Sequence, residues 1–306
     1  MKLLISLMLL LFSTDDIDLK LDLEVGEQYT LNSETEIDMT QEIQGMNQEV
    51  NTVLNSTMIF NIKDRDGDRY KADIYYESLT MNMNLPMQQS MVLTSEEDKE
   101  GSDNIFSEFL KVLIDKPFEV SIDQNGKVHE VSGLSGAFDN TLEEFDEKLS
   151  AQQINQLESM MAETYSAETF KSNVELITRN LPEQPVALQE TWTTQMGAPS
   201  MEGKIANELM VNEYTDDYIL ISGDAEVDVD EQIQPGQMPG AENASFQVNG
   251  TVDSSIKLDP ESNWVSEAEI NQELEGVISV EDAPQMPEGM EIPTTISISA
   301  NYSTDH

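Results

Sequence analysis

Polar and apolar residues alternate along most of this chain, and the alternation limits the fold more than any other feature. The apolar positions of "DIDLKLDLEV" are Ile17, Leu19, Leu21, Leu23 and Val25. Because successive side chains of a strand point to opposite faces, this spacing predicts a strand with one buried face. Similar stretches continue to residue 132 and resume after residue 186. The sequence therefore predicts a mainly β protein.

Three segments break the alternation with apolar residues at helical spacing. In "SDNIFSEFLKVLID", after an Asp or Ser able to cap the helix, these are Phe106, Phe109, Leu110 and Leu113. In "NTLEEFDEKLSAQQINQLESMM" they are Leu142, Phe145, Leu149, Ile154, Leu157 and Met161. In "SAETFKSNVELITRN", which stops before Pro182, they are Phe170, Val174 and Ile177. Thr141 and Glu144 also have the spacing of a capping box, so three amphipathic helices are predicted.

The order of these elements predicts one domain, residues 18–303, with two β halves. The halves, 18–132 and 186–303, are joined by a helical segment, 139–180. They are weakly alike: "EVGEQYTL" corresponds to "ALQETWTT", and "FNIKDRDGDRYKADIYY" to "LMVNEYTDDYILISGDA". Such hairpins are common, so duplication and coincidence both stay open. We predict a curved antiparallel sheet or half-barrel of about ten strands, with two or three helices against its concave face.

The first thirteen residues, "MKLLISLMLLLFS", have the layout of a secretory signal peptide. One Lys precedes an apolar run that is shorter than the roughly 20 residues a membrane-spanning helix needs. The chain has no cysteine, and so no thiol for a lipid anchor and no disulfide. We expect a soluble exported protein, periplasmic or extracellular, with signal residues 1–13 removed and no membrane-spanning segment left.

The formal net charge of −45 limits the partners. Nucleic acids and anionic lipid surfaces are bound through clustered basic residues, and this chain has 15 Lys and Arg against 60 Asp and Glu. We therefore expect neither as a partner. The acidity favours a solvated surface, and binding of a cation or a basic partner is the alternative.

The segments "KPFEVSIDQNGKVHEVSG" and "LPEQPVALQETW", the signal peptide and the amphipathic helices resemble a widespread family of exported Bacteroidota proteins of unknown function. In that family a Gly usually precedes the acidic and aromatic residues at the start of a strand. This chain has Gly26 at that position in the first half and Gln189 in the second. The β-helix-β order is also similar to the lipoprotein-carrier half-barrels of the LolA and LppX type. That second resemblance implies a curved sheet that holds helices in its concave face.

The sequence offers little for catalysis. His306 is terminal, and His129 lies in a predicted hairpin strand, where a surface role is favoured. A G-x-S-x-G elbow, a phosphate-binding Gly loop and a zinc motif are all missing from the sequence. Paired carboxylates occur by chance among so many acidic residues. We therefore predict no enzyme and no cofactor, with a carboxylate hydrolase as a remote alternative.

Two motifs suggest metals. The residues Asp64, Asp66 and Asp68 alternate as in a calcium loop, but the sixth and twelfth positions are Arg69 and Tyr75, where an EF-hand needs Gly and Glu. They fit a hairpin turn at Asp66-Gly67 better, and we keep them only as weak cation candidates. The thioethers that could bind Cu(I) are those of Met81, Met83, Met87 and Met91. Apolar packing is the favoured interpretation for them.

These patterns favour a non-catalytic exported protein whose sheet and helices enclose a hydrophobic, lipid-like ligand. The sequence does not indicate which residues would contact it. The alternative is a structural or interaction protein of the periplasm or cell surface that has no ligand.

Overall fold

A computed structural model describes most of the chain. The described residues are 16–43, 45–86, 90–145, 148–150, 153–154, 157, 166–197, 204–233, 243–281 and 289–305. The strands are β1 (Gln28–Ile43), β2 (Met46–Asp66), β3 (Arg69–Asn84), β4 (Met91–Thr94), β5 (Phe118–Asp123), β6 (Val128–Ser132), β7 (Thr191–Gly197), β8 (Lys204–Tyr214), β9 (Ile219–Ile233), β10 (Asn243–Leu258), β11 (Val265–Glu281) and β12 (Met290–Asp305). The helices are α1 (Ile105–Leu113), α2 (Leu134–Phe145) and α3 (Ala167–Thr178). The predicted signal peptide and Met161 lie outside the described residues.

All twelve strands belong to one curved, unclosed antiparallel sheet in the order β6-β5-β3-β2-β1-β12-β11-β10-β9-β8-β7, with β4 also paired to β3. The first and last strands pair at its centre, from Thr30 opposite Asp305 to Gln41 opposite Thr294. Each half of the chain thus forms one side of the sheet. The predicted fold class is confirmed, with twelve strands where about ten were expected.

Alternation along the strands separates an apolar concave face from an acidic convex face. In β9, Ile221, Ala225, Val227 and Val229 are buried on the concave face. The residues that alternate with them, Asp224, Glu226, Asp228 and Asp230, are exposed. These four acidic residues are therefore hydrated, as the solvation interpretation requires.

The N-terminal segment 16–24 corrects one prediction. Apart from a single bridge between Ile17 and Val186, it forms no strand. The segment is extended, and Leu19, Leu21 and Leu23 are buried as predicted, whereas Val25, predicted on the same face, is exposed. Its backbone bonds to turns instead of a ladder, with Leu21 N–H donating to Gln124 O at 2.8 Å and Asp22 N–H to Ser262 O at 2.8 Å. The segment closes one end of the curved sheet, which we name the capped end.

Helices are present in all three predicted segments, but the middle one is wrong in its bounds: α2 starts earlier than predicted and ends at Phe145, and residues 148–150 form a turn where the predicted helix would continue. Helix α2 begins at Leu134, so Thr141 lies inside it and forms no capping box. The Thr141 hydroxyl donates to Ala137 O at 2.8 Å and accepts from Lys116 Nζ at 2.8 Å. Of the predicted stripe, Leu142 and Phe145 lie in the last turn of α2. Helix α3 agrees with the prediction, with Ser166 as its N-cap.

The hairpin between β2 and β3 is present one residue later than predicted. Asp66 pairs with Arg69, so the two turn residues are Gly67 and Asp68 and not Asp66-Gly67. Gly67 has φ +65°, in the first turn position where II′ turns favour glycine.

The two halves share local geometry at their first turns. Gly26 N–H donates to Ile62 O at 2.8 Å, and Gln189 N–H donates to Val211 O at 2.9 Å. Both donors have positive φ, +98° and +66°, and a register shift follows each acceptor. Gln189 thus adopts the backbone conformation that favours glycine. These features agree with the predicted two-half organisation, and duplication stays a prediction.

Candidate binding cavity

A cavity of about 390 Å³ lies between the concave face of the sheet and helix α3. Side chains from both halves line it, because β1 and β12 pair at the centre of the sheet. Its wall is mostly aliphatic. The cavity therefore depends on the whole fold and belongs to neither half alone.

Polar groups of the sheet wall are concentrated in one row across the strands. Ser33 of β1 lies opposite Ser56 of β2 and opposite Tyr302 of β12. The two serine hydroxyls are 2.7 Å apart and share a hydrogen bond. The next concave position, Thr35, adds a further hydroxyl to the lining. This hydroxyl row is the part of the cavity nearest the capped end.

The remainder of the sheet wall is largely apolar, and its other polar residues are Asn55, Thr80 and Gln272. Ile298 of β12 lies between Ile37 of β1 and Gln272 of β11. Farther from the capped end, the wall consists of Ile296, Leu274, Val227 and Ile205. The cavity thus changes from polar to apolar along the strand direction.

Helix α3 forms the opposite wall, with Phe170 and Val174 facing the cavity. Its position is fixed on one side by β6, where Glu175 Oε1 accepts from Val128 N–H at 2.8 Å. On the other side, Trp192 Nε1–H of β7 donates to Asn180 O at 3.2 Å. The helix and the residues after it therefore span the two edge strands of the described sheet.

The cavity is electrostatically neutral. Its lining residues include no Asp, Glu, Lys, Arg or His in the part of the chain that the structure describes. Burial raises the pKa of Tyr302 to about 12, because the phenolate would lose its hydration. Within the described ranges the Tyr302 hydroxyl has no hydrogen-bond partner. The cavity therefore contains a neutral, unsatisfied hydroxyl group.

A second, polar cleft of about 690 Å³ is lined mainly by convex-face residues such as Asn32, Thr57 and Ser78, and the hydroxyl row of Ser33, Ser56 and Tyr302 also borders it. Glu96, Lys99 and Glu100 add charged groups. Its chemistry is that of the solvated convex surface and does not match the predicted apolar site.

The predicted cation candidates do not contribute to the cavity. Asp64, Asp66 and Asp68 are exposed around the β2–β3 turn, and Asp64 Oδ1 accepts from Arg65 N–H at 2.8 Å. No group of three or more His, Cys, Asp or Glu side chains suited to a metal occurs within the described ranges. Cation binding by these residues stays an untested prediction.

The histidine and methionine candidates are also elsewhere. His129 Nε2 lies 2.7 Å from Asp123 Oδ2 in the β5–β6 hairpin, and His306 is outside the described residues. Met81 is buried beside helix α1, and Met83 lies opposite Met91 and packs in the same cluster. Met81, Met83 and Met91 therefore pack in an apolar cluster, which is the interpretation that the sequence favours. Met87 is outside the described residues.

Comparison with protein families gives one match. Residues 67–265 match a family of unknown function (DUF6263), which covers more than half of the chain. The chain therefore belongs to this family. No curated protein matches the sequence.

Solved structures give weak matches. A structure described as lipid-protein interactions in lipovitellin has 10% identity and a TM-score of 0.49, covering 93% of this chain and 26% of that one. Salmonella typhi OmpF in complex with daunomycin has 7% identity and a TM-score of 0.25, covering 94% and 100%. The chain thus spans about a quarter of the lipovitellin chain. Both scores are below 0.5, so neither match carries a functional argument. No helix among the described residues has the length and hydropathy to span a membrane.

Proposed function

We propose that this protein binds a small hydrophobic, lipid-like ligand in the cavity between the sheet and helix α3, without catalysing a reaction. The observation that carries the proposal is the cavity itself, about 390 Å³ with a mostly aliphatic lining. Binding sites for small molecules are commonly about 300–1,000 Å³ and mainly apolar with a few polar groups. The cavity meets both criteria and suits one small ligand.

The composition of the lining supports binding without catalysis. The hydroxyls of Ser33 and Ser56 bond to each other, and the described lining has no histidine, carboxylate or lysine to activate them. Nucleophilic catalysis by serine needs such a base. A purely structural protein is the alternative, for which the concave face would be expected to be filled.

The proposal includes export. It rests on residues 1–13, which have the layout of a secretory signal peptide. Bacteroidota origin and a carrier-like role belong to the same proposal. Expression with and without residues 2–13, followed by cell fractionation, tests the export. Release of a shortened protein only when the segment is present supports it, and retention of both forms in the cytoplasm contradicts it.

A fluorescence titration tests the binding. The full mature chain, stripped of lipid, is titrated with N-phenyl-1-naphthylamine, which fluoresces when it enters an apolar site. The variant Ala300→Leu places a larger side chain in the cavity, since Ala300 lines it. Ser299→Leu is the matched control, because Ser299 is the next residue of β12 and faces the convex side.

Saturable binding that Ala300→Leu reduces and Ser299→Leu preserves supports the proposal. No saturable binding to the unaltered protein, or equal binding by both variants, contradicts it. Circular dichroism checks that each variant is folded. If Ala300→Leu is unfolded, Val252→Phe, at another lining position, replaces it.

A further inference from the structure

The chemistry of the cavity restricts its ligand further, on the assumption that the proposed function is correct. We infer that the ligand is an uncharged amphiphile with a hydroxyl or carbonyl group at one end. That group bonds to the hydroxyl of Tyr302, and the hydrocarbon chain lies along Ile298 and Ile296. The inference specifies both the chemical class of the ligand and its orientation.

The neutral lining excludes a charged head group from the cavity. The described lining has no ionised side chain, so neither an anionic nor a cationic head group would meet an opposite charge there, and a carboxylate would depend on neutral hydroxyl and amide donors alone. An ion without a partner in an apolar site loses several kcal/mol of hydration. The net charge of −45 disfavours anions further.

The distribution of polarity along β12 gives the orientation. Tyr302 lies in the hydroxyl row near the capped end, and Ile298 and Ile296 lie successively farther from it. Tyr302 and Ile296 are six residues apart, which corresponds to about 20 Å at a rise of about 3.3 Å per residue. An extended hydrocarbon chain with one polar end therefore matches the wall in both length and polarity.

The hydroxyl of Tyr302 supplies the specific contact. Tyr302 is partly buried and its hydroxyl has no protein partner in the described ranges, so it is available to a ligand that enters the cavity. Its pKa, raised to about 12, keeps it protonated and able to donate at neutral pH. A hydroxyl or carbonyl oxygen of a ligand would satisfy it.

The test uses three probes with the same twelve-carbon chain: dodecanol, dodecanoate and dodecyltrimethylammonium. Each displaces N-phenyl-1-naphthylamine from the full mature chain at pH 7. We expect dodecanol to bind at least about tenfold more tightly than either ion. A tenfold difference in affinity corresponds to about 1.4 kcal/mol, which is less than the hydration free energy that each ion would lose on entering the cavity.

The variant Tyr302→Phe removes the hydroxyl and retains the ring. We expect it to weaken dodecanol about three- to tenfold, the range that one net hydrogen bond gives, and to leave the naphthylamine unchanged. Tyr214→Phe is the control, because Tyr214 is half exposed and lies outside the cavity lining. If Tyr302→Phe is unfolded, the unaltered protein is titrated with chlorododecane and with dodecanol instead. Chlorododecane lacks the hydroxyl and is expected to bind more weakly than dodecanol.

The outcomes separate this inference from the proposed function. Equal binding of all three probes, or dodecanol binding that does not change in Tyr302→Phe, overturns the inference and leaves a hydrophobic binding site. Failure of the naphthylamine and of every probe to bind overturns the proposed function itself.

Discussion

The carboxylate of Glu175 accepts a hydrogen bond from the backbone N–H of Val128 at 2.8 Å, and this bond ties helix α3 to the edge strand β6. Glu175 is 6% exposed, and Arg179 pairs with its other oxygen at 3.3 Å. An edge strand leaves backbone groups unpaired, and here a helix side chain satisfies one of them. The same helix is one wall of the cavity, so its attachment determines whether the cavity persists.

Replacement of Glu175 should loosen this wall. In Glu175→Ala the buried Val128 N–H loses its partner, which costs about 1–3 kcal/mol of unfolding free energy. Urea denaturation measures the loss, and naphthylamine should dissociate faster. Ser172→Ala on the same helix is the control and should change stability by less than about 0.5 kcal/mol. A Glu175→Ala protein as stable as the control would contradict the role given to this bond.

Two glycine substitutions separate steric overlap from backbone strain. Gly126 and Gly67 both have positive φ, +77° and +65°. A Cβ on Gly126 would lie 1.9 Å from Thr178 O in helix α3, whereas a Cβ on Gly67 meets nothing within 4 Å. We expect Gly67→Ala to cost about 1–2 kcal/mol from the left-handed conformation alone. Gly126→Ala should lower the free energy of unfolding clearly more, because the added Cβ also meets the helix. Urea denaturation measures both variants, and equal losses of stability would show that helix α3 does not approach this turn so closely.

The N-terminal segment should behave as core although it is not a strand. Leu21 is 1% exposed and Val25 is 55% exposed. Leu21→Ala should therefore cost about 2–5 kcal/mol through lost burial and a residual cavity. Val25→Ala should stay within about 0.5 kcal/mol. Urea denaturation of both variants checks the difference, and a small effect of Leu21→Ala would mean that the capped end is dispensable.

Stability at high pH should report the burial of Tyr302. Its pKa is raised from 10.0 to about 12, so the folded protein holds this proton more tightly than the unfolded chain. The resulting stabilisation is complete below pH 10 and is lost as the pH rises towards 12, at about 1.4 kcal/mol per pH unit. Burial also raises the pKa of Tyr29, so part of the decline remains in Tyr302→Phe. A pH dependence of unfolding that is identical in Tyr302→Phe and the unaltered protein would contradict this account.

At neutral pH the same variant should not be destabilised. The Tyr302 hydroxyl has no partner within the described part of the chain, so its removal breaks no hydrogen bond of the protein and should change the free energy of unfolding by less than about 1 kcal/mol. Thermal unfolding without ligand measures this. A loss of more than about 1 kcal/mol would indicate that the hydroxyl has a structural partner.

Local patterns in the sequence were sufficient to predict the fold class. The alternation at Ile221, Ala225 and Val227 indicates one buried face regardless of which strands are neighbours. In contrast, the pairing of β1 with β12 joins residues more than 250 positions apart, such as Thr30 and Asp305, and no local pattern specifies it. Leu19, Leu21 and Leu23 show the same limit of sequence patterns. Buried and exposed side chains alternate in any extended segment, whether or not its backbone pairs with a neighbouring strand.

The cavity could not be predicted for a related reason. Tyr302 alternates in phase with Ile298 and Ala300 in "SISANYSTD", so its concave position could have been recognised. Its unpaired hydroxyl is a consequence of its neighbours Ser33 and Ala268 on other strands. The acidic turn at Asp64 forms a visible pattern because its residues are close in sequence, whereas the cavity residues come from eight strands and one helix.

The most direct test of the central claim is the location of a bound probe. Nuclear magnetic resonance of the full mature chain with labelled methyl groups and bound dodecanol would detect which methyls lie beside the hydrocarbon chain. We expect contacts from Ile37, Ile298 and Val252, which line the cavity, and their loss in Ala300→Leu. Contacts confined to methyls outside the cavity, or none at saturating probe, would contradict a binding site between the sheet and helix α3.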